Sequence, residues 1–240
     1  MAQRTLVSLA TYNERDNLAP LVAEIQQQLP HADILIIDDN SPDGTGRLAD
    51  ELAAVDPRVH VLHRPGKLGL GTATVAAMRY AIESDYDFLI NMDADFSHHP
   101  RYLPALQAGM ERYDVMIGSR YVPGGGVKDW PWKRELMSRG VNGLSRFLFR
   151  LPPRDTSGAF RCYRVAKLKA IPLDRIWSRG YSFQEEILYR CRRVGCRFGE
   201  TPIVFEDRRA GASKVNVKEA VRSLSILFIL GSASLLGLEE

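Results

Sequence analysis

Asp93 and Asp95 stand one residue apart at the end of the apolar run Phe88-Leu89-Ile90-Asn91-Met92. Side chains alternate along an extended segment, so the two carboxylates project the same way only beyond a strand end. There they repel each other unless a cation or a bound donor sits between them. Hard divalent cations such as Mg2+ prefer oxygen ligands of this kind, one or two carboxylates together with the phosphates of a substrate. Asp is also a common turn residue, so a solvated acidic turn explains the pair equally well when it is read alone.

Two further polar clusters close apolar runs in the same way. Thr11-Tyr12-Asn13-Glu14 follows residues 5–10, and Asp38-Asp39 follows Ile34-Leu35-Ile36-Ile37. In an open parallel sheet, ligands bind outside the carboxyl ends of the strands, so three polar strand ends meeting in one crevice favour a binding site over three turns. The segment Arg64-Pro65-Gly66-Lys67-Leu68-Gly69-Leu70-Gly71 adds a basic turn before a helix N-terminus, a place for phosphate oxygens. Its glycines form neither a G-x-G-x-x-G nor a Walker pattern, which disfavours a nicotinamide or ATP site.

The elements that must position these residues alternate between strand-like and helix-like, the pattern of a mainly parallel sheet covered by helices. Residues 5–10, 34–37, 59–63, 88–92 and 115–117 read as strands. Residues 16–29, with Leu18, Leu21, Val22, Ile25 and Leu29 at helical spacing, read as a helix, as do the stretch closing at Val55 and residues 71–84. With 240 residues, 45% hydrophobic and 25% charged, and no linker or repeat, the chain reads as one α/β domain. A net charge of +3 is too small to imply a nucleic-acid partner. Cys162, Cys191 and Cys196 leave an odd count, as in reduced thiols of a cytoplasmic protein, and the last two lack the neighbours of a zinc site. The chain runs straight into a strand-like segment, so no signal peptide is expected.

In the second half, Gly124-Gly125-Gly126 reads as a hinge leading into Trp130-Pro131-Trp132-Lys133-Arg134, a loop suited to closing over an acceptor. A helix follows with Met137, Val141, Leu144, Phe147 and Leu148 on one side and Arg134, Arg139, Arg146 and Arg150 on its other faces. Such a helix suits an anionic membrane surface. It equally suits core packing with a solvated basic face. Residues 223–238 form 16 uncharged positions, short of the roughly 20 needed to span a bilayer, and read as an amphipathic or interfacial helix. Glu185 and Glu186 fall at a helix start, where acids are commonly dipole-favoured surface residues. His98 and His99 read as loop packing beside a hard-oxygen site rather than as ligands.

Taken together, Ala10-Thr11-Tyr12-Asn13-Glu14, the segment Asp38-Asp39-Asn40-Ser41-Pro42-Asp43-Gly44-Thr45, Lys67-Leu68-Gly69-Leu70-Gly71 and Asp93-Ala94-Asp95-Phe96-Ser97-His98 resemble the successive signatures of inverting family 2 glycosyltransferases of the GT-A fold. Within that family the resemblance is to polyprenol (dolichyl) monophosphate mannose synthases. It continues through Gly118-Ser119-Arg120-Tyr121, the Trp130 to Arg134 segment, the stretch from Thr156 to Arg164, Phe183-Gln184-Glu185-Glu186 and residues 207–214, so it covers nearly the whole chain.

The resemblance implies one Rossmann-like GT-A domain over residues 1–214, with a nucleotide-sugar half to about 118 and an acceptor half from 119, followed by an apolar C-terminal helix over 215–240. It implies that Thr11, Tyr12, Glu14, Asp38, Asp39, Lys67, Asp93 and Ala94 hold a sugar nucleotide. Asp93 and Asp95 would meet Mg2+ or Mn2+ on its diphosphate, with Ser97 as a further ligand. Arg120, Arg134 and Ser138 would hold the phosphate of a polyprenyl monophosphate, Arg208 would reach the phosphates, and Glu186 would bind sugar hydroxyls while Glu185 faces solvent. Ala10, Ser97 and His99 depart from the family pattern, which expects proline, often glutamine, and proline or aspartate there. Ser97 therefore leaves three states open, a direct contact, one through water, or none.

A phosphomonoester acceptor has a second pKa near 6, so at neutral pH it is mostly an oxyanion and needs little help from a general base. The reaction expected from the resemblance is transfer of mannose from GDP-mannose with inversion, at the inner face of a membrane by a peripheral, cytoplasmic protein. Another donor such as UDP-glucose with the same acceptor, and a catalytically silent binding module for nucleotide sugars or membrane surfaces, are the alternatives. A non-glycosyl nucleotidyltransferase is a weaker rival. The residues leave the natural polyprenol and the oligomeric state open.

Overall fold

A computed structural model of the protein describes residues 3–178, 180, 182–206 and 231. Arg208, the motif at 207–214 and, apart from Gly231, the C-terminal run at 215–240 lie outside the described residues.

Five apolar segments become parallel strands; four of them are buried on both faces, where near-continuous Val, Ile and Leu are tolerated, and the half-buried Val59–His63 forms the sheet edge. They are β1 (Thr5–Thr11), β2 (Asp33–Asp38), β3 (Val59–His63), β4 (Phe88–Asp93) and β5 (Val115–Ser119). Two short strands follow, β6 (Gly126–Lys128) and β7 (Arg161–Arg164), then β8 (Phe198–Pro202) and β9 (Val204–Glu206). The helices are α1 (Arg15–Gln28), α2 (Thr45–Val55), α3 (Leu70–Glu83), α4 (Leu103–Gly109), α5 (Trp132–Phe149), α6 (Val165–Leu168) and α7 (Phe183–Arg193). The main sheet runs β3-β2-β1-β4-β7-β5-β8, parallel except for β7, which is antiparallel to β4 and β5. β6 and β9 pair separately.

The two-residue period of the strands divides the core. Val7, Leu9, Ile34, Ile36, Ile90 and Met92 pack under α1, α2 and α4. Leu6, Leu35, Ile37 and Leu89 point the other way, against α3, α6, α7 and the end of α5. The single-domain α/β architecture expected from the alternation is what the chain adopts. Short β6, β7 and β9 were outside that expectation, because three or four residues carry too little periodicity to register.

Two features of the acceptor half differ from the sequence reading. The Gly124-Gly125-Gly126 segment is a packed turn rather than a hinge. Gly124 has φ +86°, a Cβ at Gly125 would lie 2.4 Å from the Ser119 carbonyl, and Gly126 opens β6 opposite Val204. On α5, the expected apolar stripe splits. Leu148 and Phe149 are buried, whereas Met137 and Phe147 are exposed and the polar Asn142 and Ser145 point inward. The inward polar pair is satisfied by the 156–157 segment, so burial follows hydrogen bonding rather than hydropathy. The three cysteines are buried and unbridged.

Candidate active site

The sheet order reverses at β1, whose neighbours are β2 on one side and β4 on the other, and ligand crevices form at such switch points. The register sets Thr11 opposite Asp38 and Ala10 opposite Asp93, so the three polar strand ends do share one edge. On the β2 side, Thr11 Oγ1 donates to Asp38 Oδ1 (3.2 Å), and Ser41 donates to the same carboxylate through Oγ (2.5 Å) and its amide (3.1 Å). Arg64 Nε donates to Asp39 Oδ1 (2.5 Å), while its Nη1 reaches Thr72 Oγ1 (2.8 Å). Both acids therefore fix the loops around the crevice before any ligand arrives. At its mouth, Lys67 Nζ lies 4.6 Å over the exposed ring of Tyr12, joining a flat aromatic face and a cation. Glu14 stands at the N-cap position of α1 and its carboxylate accepts from the Asn17 side-chain amide (2.8 Å), and Ala94 is buried.

Beyond β4 the chain turns sharply, with the buried Phe96 at φ +63°. A bulky residue keeps that conformation only when its surroundings impose it. The turn lets Ser97 reach back to Asp95, its amide at 3.0 Å and its hydroxyl at 2.5 Å from Oδ1. Ser97 thus orients Asp95. Asp93 is partly exposed and its amide donates to His98 Nδ1 (3.1 Å). That nitrogen must be unprotonated to accept, and complete burial holds the His98 pKa down although Asp93 and Asp95 pull it up. His98 stacks on Phe160 (5.1 Å) and meets Phe205 edge-on (5.4 Å), which is the packing role expected of it. No cluster of three or more His, Cys, Asp or Glu that could hold a metal occurs among the described residues. The donor set at this end is two carboxylates and a hydroxyl, a set that fits a hard cation completed by substrate oxygens.

An aromatic bridge links the acids to the arginines. Phe205, in contact with His98, lies 5.5 Å from Trp130, over which Arg134 is stacked at 3.9 Å; Arg120 is 5.8 Å from Phe205. Arg120 is not the open cation that the sequence suggests. It is buried in a bidentate pair with Asp155 (Nε and Nη2 each at 2.7 Å), and Nη2 also reaches Ser157 (2.8 Å). Burial alone would raise the Asp155 pKa, but the hydrogen bonds and charge of Arg120 outweigh it and hold the carboxyl low. The Ser138 hydroxyl accepts from Tyr121 (2.7 Å). Asn142 ties α5 to the same region, accepting from Thr156 N (2.6 Å) and Ser157 N (3.1 Å) and donating to the Ser138 carbonyl (2.7 Å).

The acids of α7 correct the sequence reading. Glu186 is fully buried, and its carboxylate accepts from the amides of Trp177 (3.2 Å) and Ser178 (2.8 Å) and from Arg190 (3.1 Å). It anchors the loop before α7, so its oxygens are occupied rather than offered to a sugar. Glu185, expected in solvent, is also buried, and its Oε2 has no hydrogen-bond partner. The cause is the packing of Phe183 under α3, where a Cβ on Gly71 would come within 2.8 Å of it, which turns the first residues of α7 inward. Burial raises the Glu185 pKa to about 7; Asp155 adds to the rise, while Arg161 and Arg120 oppose it. Arg161 is buried too, donating to the carbonyls of Gln184 (2.7 Å) and Thr156 (2.6 Å).

A raised carboxyl pKa stabilises the fold below its unfolded value of 4.5, and that stability is lost as pH rises through about 7. Above that pH the penalty is about 3 kcal/mol, at 1.36 kcal/mol per unit. Glu185→Gln, which does not titrate, is therefore expected to unfold at higher urea than the unaltered protein at pH 8 and to lose this advantage at pH 5. A difference independent of pH would contradict the burial account.

Sequence reasoning missed Asp155, Asn142, Tyr121 and Arg161. Asp155, Arg161 and Tyr121 carried a legible signal, a charge inside or beside the motif at 156–164 and, for Tyr121, a place in the motif at 118–121, whereas Asn142 carried none. The structure brings together Thr11, Tyr12, Asp38, Asp39, Lys67, Asp93, Asp95 and Ser97 at one sheet edge, and Arg120, Arg134 and Ser138 beside them. Glu186 is turned to its loop.

Comparison with known proteins identifies the family. The Glycosyl transferase family 2 model matches residues 7–171. Polyprenol monophosphomannose synthase of Mycolicibacterium smegmatis is 46% identical over 227 residues, covering 91% of this chain and 84% of the relative. Undecaprenyl-phosphate mannosyltransferase of Micrococcus luteus is 44% identical over 221 residues, 91% of each chain. Glucosyl-3-phosphoglycerate synthase from Mycobacterium tuberculosis, solved with Mn2+, UDP-glucose and phosphoglyceric acid, superposes with a TM-score of 0.68 over 96% of this chain and 80% of its own, at 15% identity, a likeness of fold alone. With its mostly parallel sheet and an acidic pair at the switch point, the chain belongs to glycosyl transferase family 2 and is a hexosyltransferase of the GT-A fold.

Proposed function

We propose that this enzyme transfers mannose from GDP-mannose to a polyprenyl monophosphate with inversion, giving a polyprenyl β-mannosyl phosphate. The observation that carries the reading is 44–46% identity along 91% of the chain to two proteins named for mannosyl transfer to polyprenol phosphates. The geometry supports it, because anion-binding groups lie on both sides of the acidic pair.

On the donor side, Tyr12 offers a face for the base, and Thr11, Glu14, Asp38 and Asp39 frame the ribose. Lys67 stands where a phosphate oxygen passes. Asp93 and Asp95 would hold a divalent metal, Mg2+ or Mn2+, which when bound offsets the charge of the leaving diphosphate. Ser97 keeps Asp95 in place through its 2.5 Å hydrogen bond. On the acceptor side, Arg134 and Ser138 bind the lipid phosphate, and Arg120, held by Asp155, presents the remaining edge of its guanidinium. Arg208 is assigned to the phosphates by family resemblance. The acceptor oxyanion attacks the anomeric carbon from the face opposite the leaving group, and no side chain need remove a proton. Exposed Trp132 (68%), Leu136 (62%) and Phe147 (71%) on α5 support contact with the cytoplasmic face of a membrane. No helix among the described residues is long and apolar enough to cross one.

The test is incubation with Mg2+ or Mn2+, a short polyprenyl phosphate and labelled GDP-mannose, UDP-glucose and other sugar nucleotides. Lipid-linked mannose from GDP-mannose alone is expected. Transfer from a different donor would correct the sugar, and no lipid-linked product with any donor would remove the reading.

A further inference from the structure

Tyr121, Arg139, Asn142, Gly143, Arg146 and Arg154 line an open pocket of about 380 Å3 on the flank of α5. Arg139, Asn142, Gly143 and Arg146 follow the spacing that gives one helix face. The lining holds three guanidinium groups and no carboxylate. Two carboxylates adjoin the lining residues, Glu135 paired with the Arg139 side chain (2.8 Å) and Glu200 accepting from the Arg154 backbone amide (2.9 Å). Among the described residues, neither the Arg146 nor the Arg154 side chain has a hydrogen-bond or ion-pair partner. Like charges gathered in this way repel unless an anion lies between them. The pocket is also rigidly built, since Asn142 is tied to Ser138, Thr156 and Ser157, and Tyr121 is bonded to Ser138.

We propose that this pocket binds the phosphate of an anionic membrane phospholipid, one whose head group carries no compensating positive charge, at a site separate from that of the acceptor phosphate. Tyr121 is the wall between the two, with Arg139 at 4.9 Å and Arg120 at 5.2 Å from its ring. A membrane source is indicated by what adjoins the arginines. At roughly 100° per residue, exposed Trp132, Leu136 and Phe147 lie about 60° round the helix from Arg139 and Arg146. Between Leu136 and Phe147 come Gly140 and Gly143, where a Cβ would meet nothing within 4 Å, so a head group can approach the backbone. A helix whose apolar stripe enters the interface carries the adjacent arginines at the level of lipid phosphates. The inference rests on the reading that α5 meets the membrane.

The test uses the full chain with vesicles of phosphatidylcholine alone, vesicles that also contain phosphatidylglycerol, and inorganic phosphate without vesicles. Arg146→Gln combined with Arg154→Gln is expected to weaken binding to phosphatidylglycerol vesicles by about thirtyfold, as for two basic residues at an anionic surface. Binding to phosphatidylcholine vesicles and turnover with a short, detergent-dispersed polyprenyl phosphate should be unchanged. Unchanged binding to phosphatidylglycerol vesicles would overturn the proposal, as would a matching loss of turnover, which would give the pocket to the acceptor. Inorganic phosphate binding that the variant abolishes while vesicle binding persists would also overturn it, by assigning a soluble anion. Leu136→Ser with Phe147→Ser should weaken binding to both vesicle types. Should the unaltered protein bind neither type, the membrane reading and this proposal both fall, while mannosyl transfer to the short acceptor would still stand.

Discussion

Asp95→Asn is expected to lower turnover by roughly three orders of magnitude while leaving the protein folded. The basis is the several kcal/mol that a metal supplies by neutralising leaving-group charge, about 4 kcal/mol corresponding to a thousandfold. Asparagine keeps an oxygen able to accept from the Ser97 amide and hydroxyl, now at 3.0 and 2.5 Å, so the turn at Phe96 has no reason to collapse. What is lost is the negative charge. Ser97→Ala removes one orienting hydrogen bond and should cost about tenfold, in line with a net 1.4 kcal/mol. The measurement is turnover at saturating donor across a Mg2+ and Mn2+ titration, with thermal unfolding run alongside. Activity of Asp95→Asn within tenfold of the unaltered enzyme would refute the metal role, and losses of equal size in the two variants would make Ser97 a ligand.

Asp155→Ala should destabilise the fold by roughly 3–5 kcal/mol, the usual cost of leaving one partner of a buried ion pair alone. The carboxylate is fully buried and accepts from Arg120 through Nε, Nη2 and the backbone amide, and from the Gly158 amide. Its removal strands a guanidinium that is itself only 8% exposed. Converting both partners, Arg120→Met with Asp155→Leu, should recover much of that stability because no uncompensated charge is left. It should not recover acceptor binding. Urea unfolding of the two single variants and the double variant closes the cycle, and a loss below about 1 kcal/mol in Asp155→Ala would show that the pair is solvated. The same proteins separate folding from chemistry. Donor affinity should survive in the double variant while the KM for the lipid acceptor rises.

The nucleotide half was legible in the sequence because its signals are local. Each of β1, β2 and β4 is an apolar run that stops at a polar cluster, and strands buried on both faces must read so. Parallel connection through helices then forces their carboxyl ends to one edge, so residue order alone sets Thr11, Asp38 and Asp93 together. The acceptor half was less legible. β7 is a four-residue strand inserted antiparallel between β4 and β5, and nothing in Arg161-Cys162-Tyr163-Arg164 announces a central strand with an arginine fully buried in it. Glu185 was misread for the same reason. An acid in the first turn of a helix is ordinarily wet, and only the contact of Phe183 with α3 buries it.

By itself the sequence determined the alternating α/β architecture, the order of the polar strand ends and the presence of a carboxylate pair beside a basic, aromatic segment. Each of these is written in residue type and short-range spacing, the two-residue period of strands and the helical period of their coverings. Which charges are spent and which are offered was decided by the tertiary structure alone. Arg120 is neutralised by a residue 35 positions away, Glu186 is turned to its own loop, and Arg146 and Arg154 are left around a pocket without a carboxylate. A charge is fixed by the residue, whereas its partner is fixed by packing, and in a site built for anions the partner decides the chemistry.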